Sequence, residues 1–276
     1  MSGNTVRYGT PNTEYGIKMA TMAPDDDGPV WMVNLMKYRD VADYSDGRES
    51  TISGREADDA YSPLDSLAVV GAAPVFFGDV EQQLLGDDVT WDRIGVVKYP
   101  TRKSFIDMQS LPSFQKSHHH KDAGMERTIV IGTQPMTMPE QPDGYVQTDW
   151  ADVPHPSTDD DGPVVVVHVL RFDNAEAAHR TPSQMEQYQS GAANAASKHG
   201  ARINGWFAVE DTIIGDGRAW HQVRFNEFPS MAAFMAVVAD PERLAAQKEH
   251  REAAIADTYT TIVRASLNTL EASVLS

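Results

Sequence analysis

Two stretches of the chain are almost continuously apolar and rich in β-branched residues. They span Val30–Tyr38 and Val164–Phe172, and each overlaps the end of one copy of the hexapeptide Asp-Asp-Asp-Gly-Pro-Val, at Asp25–Val30 and Asp159–Val164. Continuous apolar character is typical of strands covered on both faces, whereas a strand with one solvated face alternates apolar and polar residues. The pattern therefore predicts two buried strands, each entered through the same acidic loop.

The residues after each of these strands predict the same further elements. A helical stretch ends at a glycine suited to a helix C-terminus, a two-stranded hairpin follows and ends at a proline, and a second helical region leads to a last strand. In the first copy the helix spans 55–70, the hairpin strands 74–85 and 90–99, and the last strand 128–132, with the second helical region extending to 124. In the second copy the helix spans 183–199, the hairpin strands 203–214 and 219–228, and the last strand 259–265, with the second helical region extending to 254. The order β-α-β-β-α-β is that of a ferredoxin-like unit.

The two series are copies of one unit. The hexapeptides lie 134 residues apart, and later matched positions, such as Gly71 and Gly200, lie 129 apart. A ferredoxin-like sheet carries both helices on one face and needs a cover on the other. We therefore predict an α+β fold of two tandem ferredoxin-like domains, packed sheet-to-sheet as an intramolecular dimeric α/β barrel. The predicted N-terminal domain is 1–134, the linker 135–158 and the C-terminal domain 159–276.

Composition narrows the classes of function. The 276 residues carry a formal net charge of −17 and no cysteine. The negative charge argues against nucleic acid as a partner, and the lack of cysteine excludes disulfides and thiolate chemistry. No apolar run approaches the ~18 residues of a membrane helix, and Met1–Met22 shows no secretory leader, so we expect a cytoplasmic protein without a membrane partner.

The first copy resembles the DUF1330 family of the dimeric α/β-barrel superfamily. The residues that carry the resemblance are Val33–Tyr38, Trp91–Pro100, Phe105, Pro112 and His120–Ala123, and the second copy repeats them more loosely as Trp220, Phe228, Pro229, Phe234, Pro241 and His250–Ala253. The resemblance implies a barrel with its helices outside. It also implies kinship with cofactor-free monooxygenases, lactone isomerases, polyketide-type cyclases and, more distantly, haem enzymes, a range too wide to settle the activity.

Two matched positions differ in chemistry between the copies. Asn34 aligns with His168 in the middle of the first strand, and Asp92 aligns with His221 at the start of the third. A histidine among apolar neighbours could act as a general base, and desolvation would shift the pKa of either group at the second position. The alternatives are a hydrogen-bonded core histidine for His168 and a solvated position for Asp92 and His221.

A second pair of histidines occurs in a shared motif. His120 and His250 both precede a basic, an acidic and an alanine residue, which indicates a common structural or pocket role. His120 is the last of three consecutive histidines, which cannot share one metal ion from a helix, so we predict no metal site. One inward-facing histidine could still be the axial ligand of a haem.

Five further residues are candidates for binding a substrate. Arginine can hold a carboxylate or enolate, and tyrosine can donate to an oxyanion, although exposed arginine and partly buried tyrosine are commoner. Repeated tryptophans favour packing first and an apolar ligand pocket second. These candidates are Arg55, Tyr61, Tyr188, Trp91 and Trp220, beside Asn34 and Asp92.

We therefore expect a small-molecule enzyme that binds an apolar or aromatic carbonyl-bearing substrate. Acid–base catalysis centred on histidine would serve an isomerase, cyclase, lyase or cofactor-free monooxygenase. The candidate catalytic residues are His120, His250, His168 and His221, with no cofactor expected and haem as the alternative. The alternative function is a non-catalytic ligand-binding or stress-response protein. Because the internal pseudo-dimer completes one barrel, either a monomer or a homodimer is compatible with the pattern.

Overall fold

The structure is a computed structural model that describes residues 6–141, 144–173 and 180–276. Each half contains the predicted order of elements. The N-terminal half consists of β1 (Thr10–Pro11), α1 (Thr13–Thr21), β2 (Val30–Tyr38), α2 (Gly54–Tyr61), α3 (Leu64–Val69), β3 (Ala73–Leu85), β4 (Arg93–Tyr99), α4 (Arg102–Gln109), α5 (Pro112–Gly124) and β5 (Met125–Pro135).

The C-terminal half repeats this order with one irregular helix. It consists of β6 (Val164–Phe172), α6 (Ser183–Lys198), β7 (Arg202–Gly215), β8 (Gln222–Phe228), α7 (Met231–Val238), α8 (Pro241–Ala246), a π-helical segment (Gln247–Arg251), α9 (Glu252–Ala254), β9 (Ile255–Asn268) and α10 (Leu270–Leu275). In the part of the chain described, no helix is long and apolar enough to span a membrane.

Eight of the strands close into an antiparallel barrel in the order β7-β5-β2-β4-β3-β9-β6-β8, and β8 pairs back onto β7. Each half contributes four neighbouring strands, which confirms the predicted fold class. The sheets were expected to meet face to face. They also meet edge to edge, because β3 pairs with β9 and β5 pairs with β7. This pairing leaves neither half with a free sheet edge.

Alternation along the strands separates the barrel interior from its outer face. In β6, Val165, Val167 and Val169 belong to the interior core shared by both halves. Val164 and Val166 belong instead to the outer core beneath the helices. His168 follows the same alternation and therefore lies on the outer, helix-covered face.

The elements differ from their predicted limits where the local chemistry changes. The first predicted helix, 55–70, is divided into α2 and α3 because Pro63 lacks a backbone N–H and Ser62 takes a positive φ of 27°. A serine and glutamate capping box at Ser53 and Glu56 starts α2. The terminal helices α1 and α10 are additions that the duplicated pattern did not predict.

Candidate functional site

A cavity of about 780 Å³ lies in the C-terminal half, between the outer face of the sheet and the helices above it. Side chains of the strands, of α6 and of the π-helical segment line it; we call it the C-terminal cavity. Much of its wall is apolar, with Leu170, Met185, Phe228, Phe234 and Val237 among its residues. A mostly apolar concavity with a few polar groups is the usual form of a small-molecule site.

His168 faces this cavity. It lies in the middle of β6, opposite Arg224 of β8 and opposite Thr260 of β9. Its Nδ1 is 3.1 Å from the Thr260 Oγ1. Three adjacent strands thus present an imidazole, a guanidinium and a hydroxyl side by side. Sequence alignment with Asn34 found the first of these groups and missed the other two.

Arg224 is the most deeply buried charge of the cavity, with 2% of the residue exposed. Its Nε donates to the Gln222 Oε1 at 3.0 Å, and its Nη2 donates to the same oxygen. The guanidinium carbon lies 4.0 Å from the centre of the Trp206 ring, a cation–π arrangement. Gln222 and Trp206 therefore fix the guanidinium plane at the cavity wall.

Arg251 and Arg243 bring two further guanidinium groups from the helical side. Arg251 is 8% exposed and ends the π-helical segment, with its guanidinium carbon 6.0 Å from the centre of the Tyr188 ring. Arg243 donates from Nη1 to the Val238 carbonyl oxygen at 3.1 Å. Both arginines and Tyr188 line the cavity, so positive charge reaches it from the sheet and from the helices.

Within the described residues no carboxylate pairs directly with these arginines, although the charge of Glu252 acts on Arg251. Arg224, Arg243 and Arg251 form no ion pair there, and the acidic residues of the described cavity wall, Glu140 and Glu186, are exposed. Burial lowers the pKa of Arg224 to about 9, with a further contribution from Arg251, so Arg224 stays charged at neutral pH. Burial also lowers the pKa of Arg251.

The same surroundings keep His168 neutral. Burial lowers the pKa of His168 to about 3, and the charges of Arg251, Arg224 and Arg243 act in the same direction. A neutral imidazole can accept a proton, but its lowered pKa makes His168 a weak base until an anion offsets the charges of the arginines. In the tautomer with its hydrogen on Nδ1, Nδ1 donates to the Thr260 Oγ1 and Nε2 is the atom that can accept a proton. In the other tautomer, Nδ1 accepts from the Thr260 hydroxyl.

The pair Asp92 and His221 holds the backbone in both halves. The Asp92 Oδ2 accepts from the Tyr38 N–H at 2.7 Å, and the His221 Nδ1 accepts from the Phe172 N–H at 3.0 Å. Each bond satisfies the same backbone donor at the end of the first strand. A carboxylate and an imidazole thus play the same structural role at this position in the two halves. Neither lines the C-terminal cavity.

The two histidines of the shared motif also lie outside the cavity wall. His120 is half-buried, and its Nδ1 is 2.7 Å from the Tyr44 hydroxyl. Burial lowers the pKa of His120. The His250 Nε2 is 3.9 Å from the Glu249 Oε2. The shared motif is nevertheless adjacent to the cavity, because its basic residue in the C-terminal half, Arg251, lines the cavity wall.

The remaining predicted substrate-binding residues, Tyr188 excepted, occupy other parts of the fold. Asn34 donates from Nδ2 to the Met32 carbonyl oxygen, and Arg55 pairs with Asp79 at 2.6 Å. Tyr61 is buried in the outer core of the N-terminal half, and burial raises its pKa. Trp91 and Trp220 lie in the barrel interior, where both rings contact Tyr259.

The outer face of the N-terminal half is filled by side chains instead. Its core beneath the helices contains Tyr15 and Met19 of α1, together with Met32, Tyr61, Leu67, Tyr99, Met108 and Phe114. The position that matches Arg224 is Gly95, which pairs with Asn34 across the strands. Phe77 occupies the adjacent space, since a Cβ on Gly95 would lie 3.2 Å from its Cδ2.

Metal ligands were not predicted, and in residues 6–141, 144–173 and 180–276 no group of three or more histidine or acidic side chains is placed to hold a metal ion. This describes the arrangement of the side chains and leaves the type of chemistry open.

No family model matches the chain, and no curated protein matches it. Among solved structures, a Rhodopseudomonas palustris protein of unknown function, RPA0582, is 26% identical, with a TM-score of 0.41 over 48% of this chain and 98% of that one. A proposed monooxygenase from Lactobacillus acidophilus is 9% identical, with a TM-score of 0.43 over 88% and 97%.

A mutant chlorite dismutase from Candidatus Nitrospira defluvii is 11% identical, with a TM-score of 0.47 over 86% of this chain and 92% of that one. None of these similarities bears on the activity of this chain, because both identity and structural overlap are low. Membership of the DUF1330 family thus stays a prediction from the sequence motifs.

Proposed function

We propose that the protein is a small-molecule enzyme whose active site is the C-terminal cavity and whose acid–base residue is His168. The observation that carries the proposal is the placement of this imidazole in the wall of a largely apolar cavity of about 780 Å³, beside Arg224 and Arg251. The substrate would be an apolar or aromatic molecule with a carbonyl group.

The chemistry follows from the charges around the imidazole. His168 would take a proton from the carbon next to the carbonyl and return it to another atom of the substrate. The guanidinium groups would stabilise the enolate formed in between, since fixed cations in a site of low polarity act strongly on a developing anion. Such proton transfer serves isomerisation, cyclisation, elimination or reaction of the enolate with oxygen.

Exchange of substrate protons with solvent deuterium tests this function without knowledge of the product. We would incubate the protein in D₂O with a series of aromatic and aliphatic ketones and keto acids and follow the signals of the α-protons by NMR. The substitution His168→Gln removes the base and keeps a polar side chain of similar length. We expect it to slow exchange by about 100-fold or more, the usual contribution of a general base.

His119→Gln is the matched control, because His119 is exposed and bonds only to the Lys116 carbonyl oxygen among the described residues. We expect it to exchange protons at the wild-type rate. An unchanged rate in His168→Gln would contradict the proposed role of His168. Binding of the same compounds without any exchange would support the alternative, a non-catalytic ligand-binding protein.

Haem is the alternative occupant of the cavity, and the side chains present are compatible with it. The neutral imidazole of His168 is the form that coordinates iron, and the arginines could pair with the haem carboxylates. A Soret band that appears on addition of haem to the wild type and is lost in His168→Ala would support this occupant. The same band in both proteins would exclude His168 as the ligand.

A further inference from the structure

The arginines of the C-terminal cavity are more numerous than acid–base chemistry at one imidazole requires. Arg224 and Arg251 are 2% and 8% exposed, and neither forms an ion pair with a carboxylate in the described part of the chain. A buried charge without a counter-charge is strongly unfavourable, because the protein interior replaces the water that would solvate it. Two such charges on one cavity therefore favour the binding of an anionic ligand there.

Their hydrogen-bonding capacity supports the same conclusion. A guanidinium has five N–H donors, and Arg224 gives two of its bonds to one Gln222 oxygen. Arg251 donates no side-chain hydrogen bond to any residue within 6–141, 144–173 or 180–276. Donors thus remain available for a ligand on both the sheet and the helical side.

We propose that the ligand of this cavity is a carboxylate with an apolar or aromatic body, bound through its carboxylate by Arg224 and Arg251. The inference rests on the proposed function only in taking the cavity as the substrate site. A planar carboxylate matches the fork of a guanidinium in two parallel hydrogen bonds. The apolar body would contact the wall formed by residues such as Leu170, Met185 and Phe234.

The π-helical segment places Arg251 at this site. Matched positions of the two halves are 129 residues apart from Gly71 and Gly200 to Pro112 and Pro241, but His120 and His250 are 130 apart. One residue has therefore been gained in between, in the region that becomes π-helical over Gln247–Arg251. A π-bulge is the usual structural result of such an insertion and is frequent at functional sites. The equivalent of Arg251 is Lys121.

Binding of matched acid and amide pairs tests the inference. The probes are benzoate, 2-naphthoate and phenylacetate, each compared with its neutral amide by isothermal titration calorimetry at pH 7.5. We expect at least one carboxylate to bind ten or more times as tightly as its amide. The substitutions Arg224→Gln and Arg251→Gln should each weaken that carboxylate about 30-fold or more, because a buried charge pair loses one partner.

Lys121→Gln is the control, since Lys121 occupies the equivalent position in the other half, and it should bind the carboxylate as the wild type does. Circular dichroism and the melting temperature show whether each variant is folded. If one arginine variant fails to fold, the other still decides the result. Equal affinity for acids and amides, or no binding of any acid, would overturn the inference.

Phenyl phosphate provides a further arm of the experiment. Tighter binding of phenyl phosphate than of benzoate would contradict the choice of a carboxylate over a phosphate. The inference and the proposed function can also fail separately. Equal binding of acids and amides with normal proton exchange would overturn the carboxylate inference and keep the proposed role of His168. Preferential binding of acids without proton exchange would support the carboxylate inference and favour a non-catalytic protein.

Discussion

The two halves of the barrel place different side chains on the same three adjacent strands. In the N-terminal half, Asn34 lies between Gly95 and Val130. In the C-terminal half, the corresponding residues are His168, Arg224 and Thr260. The backbone pairing is the same, so the difference resides in the side chains. One outer face became a packed core, and the other became a polar site beneath a cavity.

The difference between the halves is clearest in the partners of their buried arginines. Arg93 of the N-terminal half is 4% exposed, and its guanidinium lies 2.9 Å from Asp59, 3.0 Å from Asp79 and 3.6 Å from Asp58. Arg224 is as deeply buried and has no such partner in the described residues. The first arginine belongs to the stability of the fold, whereas the second is available to a ligand.

Replacement of each arginine by methionine should affect stability very differently, and this is the largest effect that we predict. Arg93→Met should lower the free energy of unfolding by about 3 kcal/mol, because the buried Asp58 loses a counter-charge. Arg224→Met should change it by only about 1 kcal/mol, because removal of an uncompensated cation offsets the loss of the two donors to the Gln222 Oε1. Urea denaturation at neutral pH measures both. Equal destabilisation would show that Arg224 is also a structural residue.

A second prediction concerns the stability of the protein in acid, which depends on His168 of the C-terminal half. Its pKa is about 3 in the folded protein and 6.5 in an unfolded chain. Between these values the unfolded state binds more protons, so acidification favours unfolding, while above pH 6.5 the effect vanishes. The side chains whose charges act on His168 are Arg224, Arg243 and Arg251.

His168→Gln removes this titration. On going from pH 8 to pH 5, the wild type should lose about 2 kcal/mol more stability than the variant. Urea denaturation at both pH values gives the comparison, which also cancels the acid sensitivity of carboxylates common to both proteins. Equal losses of stability in the two proteins would mean that the pKa of His168 does not differ between the folded and unfolded states. Addition of a bound carboxylate should reduce the difference by restoring a counter-charge.

The smallest predicted effect tests why the N-terminal half is closed. Its helices α2 and α5 touch at two glycines, since a Cβ on Gly124 would lie 2.3 Å from the Gly54 carbonyl oxygen. The residue that matches Gly124 is Ala254. We expect Gly124→Ala to lower the free energy of unfolding by about 1–2 kcal/mol through overpacking. Gly28→Ala is the control, because a Cβ there has open space, and the melting temperature reports both.

Much of this fold could be predicted from the repeated pattern, because two copies gave each strand an independent check. The face of His168 also followed from alternation. A comparison of polar residues at matched positions cannot find Arg224, because its counterpart at the same offset is Gly95. Such a comparison points instead to Asp92 and His221, whose side chains form structural hydrogen bonds.

Arg251 could not be predicted in the same way. Its side chain reaches the cavity from an irregular helix, and the direction of each residue on a π-helical turn differs from that on an α-helix. The tertiary contact with Tyr188 depends on how the helical layer sits on the sheet. The shared motif did locate the right turn of helix, but it emphasised His250, its neighbour.

The edge pairings β3–β9 and β5–β7 have a consequence for how this barrel responds to dilution. In a barrel made from two separate chains, these pairings form by association, and the assembled fraction falls as the protein concentration falls. Here both pairs of edges belong to one chain, so closure is a first-order event with no dependence on concentration. A cavity that needs the complete barrel is thus formed even when very few copies of the protein are present.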